Sequence, residues 1–137
     1  MALDLDAANR LLTELPEGVQ FSRRPDGAWM LRTQFAFPDG DRLPITATET
    51  EDGYLRLSDR GHTVMHASYD NDVDVLFVGE HRTRLEEILR KAGVEQHHGA
   101  LRIDTRAKDL ADAVLRLGQA AMSVFELASV RQGPRPS

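Results

Sequence analysis

From residue 19 to residue 57 apolar and polar residues alternate with a period of two, which sends every second side chain to the same face of a β-strand. Three Asp-Gly pairs punctuate the alternation, Asp26-Gly27, Asp39-Gly40 and Asp52-Gly53, each 13 residues after the one before. Asp-Gly between alternating segments signals a hairpin, because glycine enters positive φ without a Cβ penalty. The pattern predicts a four-stranded antiparallel meander, and the register selects the loop length. A two-residue loop at Asp26-Gly27 would set Phe21 opposite Arg32 and Leu31 opposite Ser22, scattering apolar residues over both faces. A three-residue loop, Pro25-Asp26-Gly27, sets Phe21 opposite Leu31 and Val19 opposite Thr33. The same loop at Pro38-Asp39-Gly40 pairs Phe35 with Leu43, Thr33 with Ile45 and Leu31 with Ala47. At Glu51-Asp52-Gly53 it pairs Ala47 with Leu57 and Glu49 with Leu55.

All three hairpins then agree on one apolar face, carrying Trp29, Leu31, Phe35, Leu43, Ile45, Leu55 and Leu57. Ser22, Met30, Arg32, Gln34, Thr46 and Thr48 fall on the other, which reads as solvated. Arg24 is expected on the apolar side near the end of the sheet. One buried and one polar face is the pattern of an α+β domain: a four-stranded antiparallel meander with helices packed on one face.

The remaining elements read as helical. Leu5, Ala8, Leu12 and Leu15 predict an N-terminal helix stopped by Pro16. Ser58-Asp59-Arg60-Gly61 leads into a short helix from His62 to Tyr69, broken by Asp70-Asn71-Asp72. Val73 to Val78 fits either a short strand or a buried loop. A helix follows from about Glu80 to Lys91, with Leu85, Ile88, Leu89 and Ala92 inward and Gly93 as its stop. Val94, Leu101 and Ile103 flank a further hairpin around His98-Gly99.

Leu110, Val114, Leu117, Ala121, Val124 and Ala128 make the seam of a long C-terminal helix, from about Lys108 to Val130. Such a helix is roughly 34 Å long, against roughly 17–20 Å for a five- or six-residue strand. Part of its stripe, broadened by Phe125 and Leu127, is therefore expected to pass beyond the sheet and meet a second copy in a homodimer. The alternative is a diagonal or Gly118-kinked helix that buries the stripe within the chain. Residues 1–131 read as a single domain and residues 132–137 as a disordered tail.

Composition excludes several classes. The chain has 137 residues, enough to bury a core without disulfides, and no cysteine, so thiol nucleophiles and cysteine-ligated metals are impossible. The N-terminus has neither the basic nor the apolar region of a signal peptide, and no run is long enough to span a membrane. A cytoplasmic location is expected. The net charge of −5 argues against broad nucleic-acid binding.

Two segments carry a family resemblance. The run Phe35-Ala36-Phe37-Pro38-Asp39-Gly40-Asp41 is followed by Tyr54-Leu55-Arg56-Leu57-Ser58-Asp59-Arg60-Gly61-His62-Thr63. Ile88-Leu89-Arg90-Lys91-Ala92-Gly93-Val94 lies further on. Together they resemble a bacterial and phage family catalogued as a domain of unknown function, DUF1828, over roughly residues 19 to 128. The resemblance implies a setting in bacteria and mobile elements and supplies no catalytic residues.

The residues themselves offer three candidate chemistries. His62 and His66 stand i, i+4 on the short helix and face one way, as two metal ligands on a helix must. Asp59 or Asp70, with His97-His98, could complete such a site, although Thr63 stands where a zincin would carry its general-base Glu. Asp59 reads more simply as the cap of that helix, with Gly61 giving the sharp turn off the preceding strand. Asp39, Asp41, Glu49, Glu51 and Asp52 are explained by turn chemistry.

Arg23, Arg32 and Arg56 are candidate binding cations, with Arg32 and Arg56 on the polar face, but that face lacks the aromatic row of a sheet-based RNA binder. Phosphate loops and nucleophile elbows are absent. No catalytic residue and no cofactor are nominated. The expected function is a non-enzymatic protein-interaction or regulatory module, an accessory or counter-defence factor. The alternatives are a metal-dependent hydrolase using Asp59, His62 and His66, and a weak nucleic-acid binder through the polar sheet face.

Overall fold

The computed structural model describes residues 20–130, with side chains from Ser22 onward. The expected N-terminal helix, the partner of Thr33 at Val19 and the expected tail lie outside the described residues. Strands β1 (Gln20–Arg23), β2 (Trp29–Ala36), β3 (Arg42–Glu49), β4 (Leu55–Ser58), β5 (Glu95–His97) and β6 (Ala100–Thr105) form one sheet. Its order is β1-β2-β3-β4-β6-β5, antiparallel throughout. The four-stranded meander is thus present and is extended by the second hairpin, whose β6 docks on β4. The helices are α1 (His62–Ala67), α2 (Gly79–Ala92) and α3 (Leu110–Ser129).

The three Asp-Gly loops close alike. Gly27, Gly40 and Gly53 take φ of 89°, 91° and 81°, and each donates its N–H to the carbonyl three residues back, at 2.8–3.1 Å. This is the type I turn with a left-handed glycine that a three-residue loop demands. Phe21 lies opposite Leu31, Ala47 opposite Leu57 and Glu49 opposite Leu55, as the alternation requires.

The middle hairpin departs from its expected register. Ala36 faces Arg42, but Leu31 faces Ile45 rather than Ala47, because β2 bulges between Arg32 and Ala36. Thr33 repairs the interrupted ladder: its hydroxyl donates to the Leu43 carbonyl at 2.9 Å and accepts the Phe35 N–H at 3.2 Å. The register slips by two residues, one full pleat, so inward residues stay inward. Leu31, Leu43, Ile45 and Leu57 are all but inaccessible, and Phe35 is half-buried.

Helix α3 crosses β2, β4 and β6 and is flanked by α1 and α2. Every residue of its seam is buried, Leu127 is buried with it, and Phe125 packs against Phe37 with ring centroids 4.9 Å apart. The stripe expected to leave the sheet is filled within the chain. The helix runs unbroken through Gly118, which lets the Phe35 ring lie where a Cβ would be.

Val73–Phe77 is neither strand nor loop but a turn of 3₁₀ helix. The Asp72 carboxylate accepts the Asp74 N–H at 3.1 Å, and this local cap outcompetes an extended conformation while Leu76 enters the core.

The polar face is also less open than its composition implies. Thr46 is buried, because Arg60 takes a left-handed φ of 52° and folds its side chain back over β3. Arg60 Nε donates to Thr46 Oγ1 at 3.3 Å, and that hydroxyl donates to the Ser58 carbonyl at 3.2 Å.

Candidate functional site

The corner where β4 turns into α1 is organised by Asp59. Its side chain is buried, and its carboxylate accepts three backbone N–H groups: Gly61 at 2.8 Å, Leu101 at 2.8 Å and Thr63 at 3.2 Å. Its own N–H donates to the Leu101 carbonyl at 3.0 Å, and its carbonyl accepts the His62 N–H at 2.9 Å. One residue therefore ties β4, β6 and the first turn of α1 together. The capping expectation describes it well. With three backbone N–H groups on its oxygens, Asp59 is not grouped with the histidines.

The histidines meet different acids. Asp41 Oδ2, from the β2–β3 turn, lies 3.2 Å from His62 Nε2 and 3.4 Å from His66 Nδ1. Asp39 Oδ2, from the same turn, lies 2.9 Å from His66 Nε2. One donor atom from each of Asp41, His62 and His66 lies within 4.8 Å of the others, close enough for the three to hold a metal ion. Asp70 and the exposed His97-His98 pair are not in this group. The two histidine rings stand 5.7 Å apart, one helical turn from each other. Phe37 stacks on His66 with centroids 4.3 Å apart and planes 17° apart, and His66 is itself buried. The Asp39 carboxyl sits below its usual range, first because the Asp41 N–H donates to it and then because His66 is beside it.

The sequence offered Asp39 and Asp41 only as turn residues. They are that too, since Asp39 Oδ1 accepts the Asp41 N–H at 3.0 Å. Their approach to α1 spans more than 20 residues of chain, and no spacing rule reaches that far. The one available hint is the second aspartate of Pro38-Asp39-Gly40-Asp41, which the turn itself does not require.

The arginines do not converge. Arg23 faces Trp29 across β1 and β2 and lies 5.2 Å over its ring, so Arg23, and not Arg24, shares the apolar side at the sheet end. Arg24 instead lies 3.4 Å from Asp26. Arg32 is exposed on β2 opposite Pro44, and Arg56 is on β4 opposite Thr48. Two strand spacings and four residues along the strand put them roughly 16 Å apart. Arg56 is committed to Asp104 on β6 by two parallel bonds of 2.8 and 3.0 Å.

That pair has a consequence for acid stability. The Arg56 guanidinium lowers the Asp104 carboxyl below its ordinary value, chiefly through its hydrogen bonds. The folded state therefore binds the proton more weakly than the unfolded state. The stabilisation is complete above the ordinary carboxyl range and fades as pH falls through the lowered folded value. Both side chains are about 40% exposed, so solvent screening keeps the contribution of the pair small. Asp104→Asn is expected to lower the neutral plateau of denaturation midpoint against pH by a small amount and to converge with wild type in acid, where the stabilisation is already lost, so that the acid limb is flatter.

The family catalogued as Domain of unknown function DUF1828 matches residues 33–124. The chain belongs to that family. The matched segment opens at Thr33 in the β2 bulge, takes in the Asp39/Asp41 turn, Asp59 and both histidines of α1, and ends inside α3. The corner thus lies wholly within the DUF1828 segment, whereas Arg23 and its Trp29 partner precede it. No curated protein and no solved structure matches this DUF1828 chain. Among the described residues no helix is long and apolar enough to cross a membrane.

Proposed function

We propose that this protein is a non-enzymatic interaction module of bacterial or phage origin that binds another protein through the outer side of α1. The observation that carries the reading is the exposure of Met65 and Tyr69, at 45% and 65%, on a segment otherwise locked in place. Met65 lies in α1 and Tyr69 in the turn after it, four residues apart and so on one side. Thr63, His66 and Ala67 anchor the opposite side in the core, and Asp59 fixes the helix start. Methionine and tyrosine are enriched in the centres of protein interfaces, and a rigid helix loses little entropy on docking. Asp39 and Asp41, half-exposed on the turn that contacts the histidines of the same helix, favour a partner that also carries basic groups.

We extend the reading to an accessory or counter-defence role in the cytoplasm, on the setting that the family resemblance implies. A homodimer through α3 has less support, because that seam is filled by the chain's own sheet and helices. Sedimentation at micromolar concentration reads the oligomeric state directly.

The test is capture from the native host with tagged full-length chain, in parallel with a Met65→Ala/Tyr69→Ala variant. A partner held by the wild type and reduced at least tenfold with the variant, at unchanged thermal midpoint, is the expected result. Equal capture by both chains would rule the α1 surface out.

A further inference from the structure

We propose that Asp41, His62 and His66 bind a divalent transition-metal ion of the Zn²⁺ class, with Asp39 as the carboxylate that orients His66. The site goes beyond the protein-binding reading and does not depend on it. The distances carry the argument. Imidazole and carboxylate donors lie 2.0–2.2 Å from a tetrahedral zinc, so two of them on one ion stand roughly 3.3 Å apart. Asp41 Oδ2 stands 3.2 Å from His62 Nε2 and 3.4 Å from His66 Nδ1. The first is also within hydrogen-bond reach, whereas the second is longer than the roughly 2.7–2.9 Å of a charge-assisted hydrogen bond.

The Asp39 contact differs in kind. At 2.9 Å from His66 Nε2 it has the length of such a bond, and it leaves Nδ1 as the nitrogen turned to Asp41. A carboxylate on the far ring nitrogen is the usual support of a metal-bound histidine, fixing both tautomer and ring orientation. The ring is set before any ion arrives: it is buried, stacked on Phe37, and carried by a helix pinned through Asp59.

Donor chemistry selects the ion. Two imidazoles and one carboxylate suit zinc, cobalt and nickel, whereas calcium and magnesium favour all-oxygen sites. Three protein donors leave one tetrahedral position for solvent or for a group brought by a partner. The ion would clamp the Pro38–Asp41 turn against α1, adding to the His–Asp contacts and the Phe37 stacking that join them.

The experiment uses the full chain, stripped with EDTA and titrated with zinc chloride by calorimetry, with Co²⁺ absorption reporting coordination number. One equivalent should bind, and Co²⁺ should give the intense visible bands of a four-coordinate site. His62→Gln and His66→Gln should each weaken binding at least 100-fold, and Asp39→Asn about 10–100-fold. His97→Gln/His98→Gln and Met65→Ala/Tyr69→Ala should leave it unchanged, the latter separating this site from the protein-binding surface. A folding defect in His66→Gln would mimic lost binding, so imidazole ¹⁵N spectra of the wild type provide the second readout. Zinc should shift His62 Nε2 and His66 Nδ1 and spare His81, whose Nε2 lies 2.6 Å from the Val130 carbonyl. The proposal is overturned by no saturable uptake, by uptake that survives His62→Gln, or by shifts confined to His97 and His98. Any of those outcomes would leave the corner a plain His–Asp contact.

Discussion

Asp59→Ala is expected to remove at least about 3 kcal/mol of folding stability, a large fraction of the about 5–15 kcal/mol a domain has to lose. The substitution strips the acceptor from the Gly61, Thr63 and Leu101 N–H groups at once. Each is a hydrogen bond to a charged group, and a buried donor left unpaired costs about 1–3 kcal/mol. The surroundings of Asp59 are closed, so water cannot readily replace the carboxylate. The damage should also be regional. Leu101 belongs to β6 and Thr63 to α1, and Asp59 is their shared fastening, so both elements should lose amide-exchange protection before the β1–β3 meander does. Asp59→Asn keeps a single acceptor oxygen and turns an amide donor toward N–H groups, and should fall between the two. Chemical denaturation checks the magnitude and hydrogen exchange the pattern. A variant within about 1 kcal/mol of wild type would show that the three bonds are not the structural knot described here.

Much of this fold was legible because its strongest signals are local. The Asp-Gly step fixed three turns whose geometry involves four or five consecutive residues. The α3 seam needed only its own spacing, and Gly93 stops α2 by a left-handed φ of 70°. Legibility failed where residues distant in sequence decide the outcome. The β2 bulge is a response to packing: it places Phe35 against Gly118, on a helix more than 80 residues away. From the strand alone, the uninterrupted register was the simpler reading. Arg60 entered the sequence reading only as part of the Ser58–Gly61 lead-in to a helix, yet its left-handed backbone makes it a cover for Thr46. The fate of the α3 stripe depended on how α1 and α2 flank it, which helix length cannot reveal.

The candidate site divides along the same line. His62 and His66 were readable as a pair because i, i+4 is a helical neighbour relation. Their acids were not, since Asp39 and Asp41 already had a sufficient local explanation in the turn. Asp59 was placed correctly as a cap and also entertained as a ligand. Only its bond to Leu101, from a strand 42 residues on, shows how completely the carboxylate is used. Arg23, Arg32 and Arg56 shared a composition and not a location, which strand register separates at once.

Gly118→Leu is expected to prevent formation of a cooperative native state, and Gly118→Ala to destabilise it by about 1–3 kcal/mol. On propensity alone the second change should help, since alanine is favoured over glycine in a helix interior by about 1 kcal/mol. Packing reverses the sign. A Cβ at residue 118 would lie well inside van der Waals contact of three atoms of the Phe35 ring. The half-buried ring could move only by giving up its packing against the core, and α3 is packed along its whole seam. The cost therefore belongs to the pair. Phe35→Leu alone should destabilise, but combined with Gly118→Ala it should recover much of the loss, giving a coupling of at least about 1 kcal/mol in a double-mutant cycle. Denaturant titration of the four chains supplies the cycle. Additive changes, or a stabilised Gly118→Ala, would mean that the Phe35 ring does not occupy the space glycine leaves, and the bulge would then need another cause.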